Sequence, residues 1–206
     1  VQGVKTNFEI DIFKPIINDI RKILGVKAES AEKINCIADH IRAVVFAIGD
    51  GILPSNENRG YVVRKLIRRA SWFVQELGSD KPFLYKLVPK VCDLMKEPYT
   101  ELTDRRENIS SIILSEEERF MSSLRDGGNF LQAELESLKR QNIKVLSGET
   151  IFKLYDTYGF PVESTATNAE ARGFSLDLAG FNEEMEKQKQ KARKGSAMSS
   201  DIFSKD

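Results

Sequence analysis

The stretch L-P-S-N-E-N-R-G-Y-V-V-R-K-L-I-R-R-A, residues 53–70, decides the fold of this chain. Pro54, Ser55 and Asn56 are turn chemistry: proline presets φ, and Ser and Asn side chains bond nearby backbone amides. From Tyr61 the apolar residues Val62, Val63, Leu66, Ile67, Ala70, Phe73 and Val74 recur at helical spacing and cover one side. The other side holds Tyr61, Arg64, Lys65, Arg68, Arg69 and Trp72, with Arg59 just before it. Such a basic face is often an ordinary solvated surface on a core helix. Here no acidic residue lies between Arg59 and Gln75 to pair with these cations one turn away, and the only tryptophan shares their face. An exposed cationic-aromatic surface also suits phosphates and ribose edges.

Outward from this stretch the chain reads as one helix after another. Residues 11–24 place Ile12, Ile16, Ile20 and Ile23/Leu24 on one side and end near Gly25. Residues 30–48 carry the stripe Ile34, Ile37, Ala38, Ile41, Val44, Val45 and Ile48, with Ser30 as N-cap. Residues 78–82 are a break, and Pro82 suits the first turn of a helix to about Met95 with Leu84, Leu87, Val88 and Val91 inside. Pro98-Tyr99-Thr100 interrupts again, before a long charged helix over 104–140. Gly127 and Gly128 weaken that helix by about 1 kcal/mol each, which predicts a bend or a break. Helices over 147–158, 161–171 and 178–194 follow, the first two closed by Gly159 and Gly173. Only 143–146 and 175–178 are candidate strands. The expected fold class is therefore mainly α, a helical bundle of two sub-bundles with at most a minor short-strand element. Residues 1–100 would form the first, with the basic helix, 101–194 the second, and 195–206 a flexible tail.

Composition narrows the function. The 206 residues carry 31 Lys and Arg against 31 Asp and Glu, so nucleic-acid binding has to come from a local patch. Cys36 and Cys92 stand far apart, without a CxxC or a Cys/His cluster that would hold zinc, and His40 is the only histidine. Reduced cysteines of a cytosolic protein are the reading they suit. His40 is either structural or a nucleic-acid contact. No long apolar run suggests a membrane segment, and no nucleotide-binding motif or catalytic residue is nominated. The chain opens at Val1 rather than methionine, as a piece of a longer protein would.

The segment I-N-C-I-A-D-H-I-R-A-V-V-F-A-I-G-D-G-I-L-P-S-N-E-N-R-G-Y-V-V-R-K-L-I-R-R-A, residues 34–70, closely resembles the alanyl-tRNA synthetases. Members of that family read A-D-H-x-R-A and then L-P-S-N-E-G-R-G-Y-V-L-R-R-x-x-R-R-A. This chain departs at Asn58, where the family has glycine, and at Lys65, where it has arginine. Asn tolerates the left-handed backbone that such a glycine serves, so the turn survives; Lys keeps the charge but loses the bidentate fork. Three further matches and a tail follow in the family's order. Residues 1–11 resemble V-L-Q-G-x-x-S-N-Y-D-T-D, which directly follows class II motif 3. Residues 116–127 resemble E-E-x-R-F-x-x-T-L-x-x-G, and 154–162 resemble L-Y-D-T-Y-G-F-P, with Glu163-Ser164-Thr165 departing from D-L-T. Gly180-Phe181 and Met185 resemble G-F-E-x-x-M.

The resemblance implies the tRNA-recognition region of an ATP-dependent alanine–tRNA ligase, with no catalytic residue in this chain. ATP, Mg and alanine would bind in a class II domain preceding it, and Zn in an editing region following it, so the chain alone would not activate alanine. The partners implied are the acceptor stem of tRNA(Ala), with its G·U wobble pair, and the remaining domains of the parent. No membrane is implied, and the compartment is the cytoplasm, an organellar form being open. Asn56 and Asp156 would contact the wobble pair, whose guanine amino group is exposed in the minor groove. The stem would then lie between their two regions. Arg59, Arg64, Lys65, Arg68 and Arg69 would hold phosphates. Asn56 also suits a simple helix cap, and Asp156 an ion pair with a neighbouring cation. The alternative function is a non-catalytic helical protein-interaction module.

Overall fold

The structure is a computed structural model that describes residues 3–26 and 30–200, with backbone alone over 191–200. It is mainly helical, and its only strand pairing among the described residues is two residues long. The contacts divide the chain into two units, residues 1–120 and 121–206.

The first unit is a helical bundle. Helices α1 (Lys14–Leu24), α2 (Ala31–Gly49), α3 (Asn58–Glu76), α4 (Val88–Met95) and the short α5 (Glu101–Asp104) pack around one apolar core. Ile16, Ile20, Ile34, Ile37, Ile41 and Ile67 are fully buried there. Leu84, Leu87, Val88 and Val91 are inside, as their spacing predicts, although Leu84–Leu87 is a 3-10 turn leading into α4. Two apolar residues expected inside face out: Ile23 is 49% and Val62 56% exposed. In α3 the buried positions are Gly60, Val63, Ile67, Ala70 and Val74, a 3-4-3-4 spacing, together with Ser71, and they leave Val62 on the flank.

Helix α6 (Arg106–Arg140) runs from the first unit into the second. Its first turns bury Ile109 and Ile113 in the first core, so the division lies at Phe120/Met121 rather than near residue 100. Of the bend or break expected at Gly127-Gly128, the break does not occur; α6 is one continuous helix. A Cβ on Gly127 would lie 2.9 Å from Tyr158 Cβ, whereas one on Gly128 would meet nothing within 4 Å. Gly127 thus makes room for a packed aromatic, and a cost of about 1 kcal/mol per glycine does not break a helix docked along its length.

The second unit joins the rest of α6 to α7 (Gly148–Lys153), α8 (Val162–Glu170) and α9 (Leu178–Ser200). Leu131, Leu135, Leu146, Ile151, Leu154, Ala169 and Phe174 form its core. The two candidate strands pair in parallel as β1 (Val145–Leu146) and β2 (Ser175–Leu176), Val145 opposite Ser175 and Leu146 opposite Leu176. Asp177 accepts from the Gly180 N–H at 2.9 Å and so starts α9. That helix continues past Lys194, its expected end, to Ser200. Val1 and Gln2 of the first family match, and 201–206 of the expected tail, lie outside the described residues.

The two adjacent glycines make a paired test by urea unfolding of the 206-residue chain. Gly127→Ala forces Cβ against Tyr158 and should cost about 1–3 kcal/mol. Gly128→Ala should be neutral or gain up to about 1 kcal/mol from helix propensity. Equal effects would contradict the packing.

Candidate nucleic-acid interface

The turn before α3 is built by Ser55, Asn58 and Gly60. The Ser55 hydroxyl donates to the Glu57 carbonyl at 2.8 Å, and the Glu57 N–H lies 3.3 Å from the same oxygen. The Ser55 N–H donates to the Gly60 carbonyl at 3.1 Å. A Cβ on residue 60 would fall 2.3 Å from both the Leu53 carbonyl oxygen and Ser55 Oγ, so only glycine lets the loop lie against the helix. Asn58 has φ +52°, the left-handed backbone expected where the family carries glycine. Asn56 is exposed, makes no side-chain hydrogen bond among the described residues, and does not cap the helix; Glu57 occupies the N-cap with no side-chain bond.

The cations of α3 separate into two groups. Arg59, Lys65 and Arg69 are exposed. Lys65 Nζ stands 5.9 Å from the Tyr61 ring centroid, and the Arg69 guanidinium 5.6 Å from that of Phe73. Arg64 and Arg68 turn toward α6, where the Glu116 Oε1 lies 3.2 Å from Arg64 Nε and 2.7 Å from Arg68 Nε. The three side chains are 25%, 13% and 6% exposed, in the order Arg64, Arg68, Glu116. Arg68 also stands 5.3 Å over the Phe120 ring, and burial pulls its pKa down against the pull of Glu116. The acid missing from α3 in sequence is thus supplied by α6.

Its neighbour Glu117 is fully buried and accepts the N–H groups of Phe83, Leu84 and Tyr85 at 2.9, 2.9 and 3.2 Å. Burial raises its pKa, and those N–H groups oppose the rise. Neither carboxylate was nominated from sequence. The signal was present: they fall between Ile113 and Phe120, on the buried stripe of α6, where an acid needs partners.

Beside Arg69, His40 of α2 lies 3.5 Å by Nε2 from Cys36 Sγ and 3.7 Å by Nδ1 from Asp39 Oδ2. Burial lowers its pKa, opposed by Asp39 and aided by Arg69. Burial raises the Cys36 thiol, which makes it a poor nucleophile.

In the second unit, α7 passes into a single π-helical turn, Leu154–Tyr158, closed by Gly159 at φ +69°. The Phe160 N–H returns to the Leu154 carbonyl at 2.9 Å. Leu154 enters the core, Tyr158 stacks on Phe130 at 5.5 Å, and Tyr155 meets Phe181 edge-on at 5.8 Å. Asp156 is left exposed on this turn and accepts from the Gln188 side chain of α9; among the described residues no ion pair with a cation is formed. Asn56 belongs to the first unit and Asp156 to the second. Among the described residues no group of three or more His, Cys, Asp and Glu side chains is placed to hold a metal ion. No described helix is long and apolar enough to cross a membrane.

Residues 1–206 match the family model described as tRNA synthetases class II (A), and the chain belongs to that family. Within it, the chain is 48% identical over 196 residues to an alanine–tRNA ligase of Streptococcus pneumoniae. It is 46% identical over 197 residues to that of Halalkalibacterium halodurans and 48% identical over 198 to that of Bacillus cytotoxicus. Each comparison covers 94% of this chain and 22% of the relative, so the chain spans about a fifth of their length.

Two measurements check the local geometry. Asn58→Ala should destabilise the chain by about 1 kcal/mol, because alanine pays for left-handed backbone, while Asn58→Gly should stay within a few tenths. Because folded His40 holds its proton less tightly than the unfolded chain, stability should be full above about pH 6.5 and fall as pH drops toward the folded value. His40→Gln should flatten that limb of the pH–stability curve; an unchanged limb assigns it to other groups.

Proposed function

We propose that this chain is the tRNA-recognition part of an ATP-dependent alanine–tRNA ligase. It positions the acceptor stem of tRNA(Ala), and Asn56 and Asp156 read the G·U wobble pair. The relatives' names support the ligase and the tRNA. The observation that carries the reading of the stem is Asn56: an exposed amide with no partner among the described residues, on a turn locked by Ser55 and Gly60, directly before the cationic helix. An amide both donates and accepts, and a carboxylate accepts from a guanine amino group. The wide, shallow minor groove of A-form RNA is within reach of short side chains on turns. A π-helical turn under Asp156 also suits a functional position, since such turns recur at sites.

In this reading Arg59, Arg64, Lys65, Arg68 and Arg69 hold phosphates and set register. Arg59, Lys65 and Arg69 are the outer members and Arg64 and Arg68 the inner ones. ATP and Mg would belong to a catalytic domain and Zn to an editing region, both outside these residues.

In the full-length ligase, Asp156→Asn should lower alanylation of the G·U-bearing tRNA by about 1–3 kcal/mol, the worth of one good base contact. Unchanged charging and discrimination would remove Asp156 from the site. Arg59→Ala, Lys65→Ala or Arg69→Ala should instead weaken every acceptor stem alike and lower the salt slope of binding by about 1 each. Salt-independent binding would contradict the basic face as the phosphate site. A protein partner captured without any RNA affinity would favour the interaction-module alternative.

A further inference from the structure

We propose that Glu116 is a positioning residue for RNA backbone phosphate: one buried carboxylate oxygen grips the Nε edges of Arg64 and Arg68 and presents their terminal Nη edges as a fixed pair. The inference rests on the reading of α3 as a phosphate-binding helix and deepens it.

The geometry is specific. Glu116 Oε1 takes both guanidinium groups through Nε, at 3.2 and 2.7 Å. A guanidinium has two bidentate edges, and holding the Nε side leaves the Nη pair for a phosphate. The Arg64 side chain is 25% and the Arg68 side chain 13% exposed, so both reach solvent past Glu116, Arg64 the further.

Charge points the same way. Two arginines share one carboxylate, so the cluster keeps a net positive charge one turn apart along α3. The Phe120 ring beneath Arg68 fixes the plane of that guanidinium, at 5.3 Å. Arg64 and Arg68 stand four apart, so both edges lie on one side of the helix. Such an array meets phosphate with little side-chain entropy left to lose, and its planar forks match phosphate oxygens in a way that a lysine ammonium does not.

The test is a titration of the 206-residue chain with a short A-form RNA duplex across a salt series, with thermal unfolding run beside it. Glu116→Gln should weaken the duplex and reduce the salt slope by about 1 while the melt stays cooperative. Arg64→Ala should weaken binding in the native chain and cost much less in the Glu116→Gln background, a coupling that a purely structural role would not produce. If Glu116→Gln fails to fold, Arg64→Lys decides: it keeps the charge, loses the fork, and should still weaken the duplex. The proposal is overturned if Glu116→Gln or Arg64→Lys leaves affinity and salt slope unchanged while Arg59→Ala, Lys65→Ala and Arg69→Ala still reduce them. If none of the five cations matters and salt has no effect, the phosphate reading of α3 itself fails.

Discussion

Two adjacent carboxylates on α6 hold the first unit together at its most polar point. Glu117 closes the start of the 3-10 turn before α4 with three backbone N–H groups, and Glu116 binds two arginines of α3. A buried carboxylate is costly unless several donors meet it, and these two divide the donors between them. Adjacent residues on a helix point about 100° apart, so one acid reaches the α4 side and the other the α3 side. The pair therefore ties one helix to two neighbours and fixes the rotation of α3 about its own axis.

That rotation decides what α3 offers to solvent. With Val63, Ile67, Ala70 and Val74 in the core and Arg64 and Arg68 on Glu116, the outward residues include Arg59, Tyr61, Val62, Lys65 and Arg69. The loop is fixed by different means, hydrogen bonds through Ser55 and the lack of a Cβ at Gly60. Asn56 thus stands on a backbone that does not need its side chain. A recognition group is most useful in that condition, because its hydrogen-bonding capacity is not consumed in the free state. Asp156 differs: it is exposed, but Gln188 occupies one of its oxygens.

Much of this was legible in the sequence. Spacing located the helices and most of their buried residues, and even the two short strands. Asn58 was readable as left-handed because the family carries glycine there, and its φ is +52°. The errors have local causes. Period counting spread the apolar side of α3 to Val62, because a stripe read from sequence has no knowledge of where the neighbouring helix stops. Glycine propensity suggested a break in α6, but Gly127 is there to admit Tyr158, a contact more than thirty residues away in sequence. The α3 cations lacked a partner within a turn, and their partner, 48 residues beyond Arg68, is a tertiary fact. The Asn56 and Asp156 roles came from family resemblance; the residues alone favoured a helix cap for Asn56 and left an ion pair open for Asp156.

The central claim is that this chain reads an acceptor stem through a fixed turn and a cationic helix. The most direct measurement is the affinity of the unaltered 206-residue chain for two acceptor-stem RNAs that differ only in one pair, G·U or G·C, across one salt series. The account predicts tighter binding to the G·U stem, with both affinities falling as salt rises. Equal affinities, or no RNA binding at any salt, would contradict it.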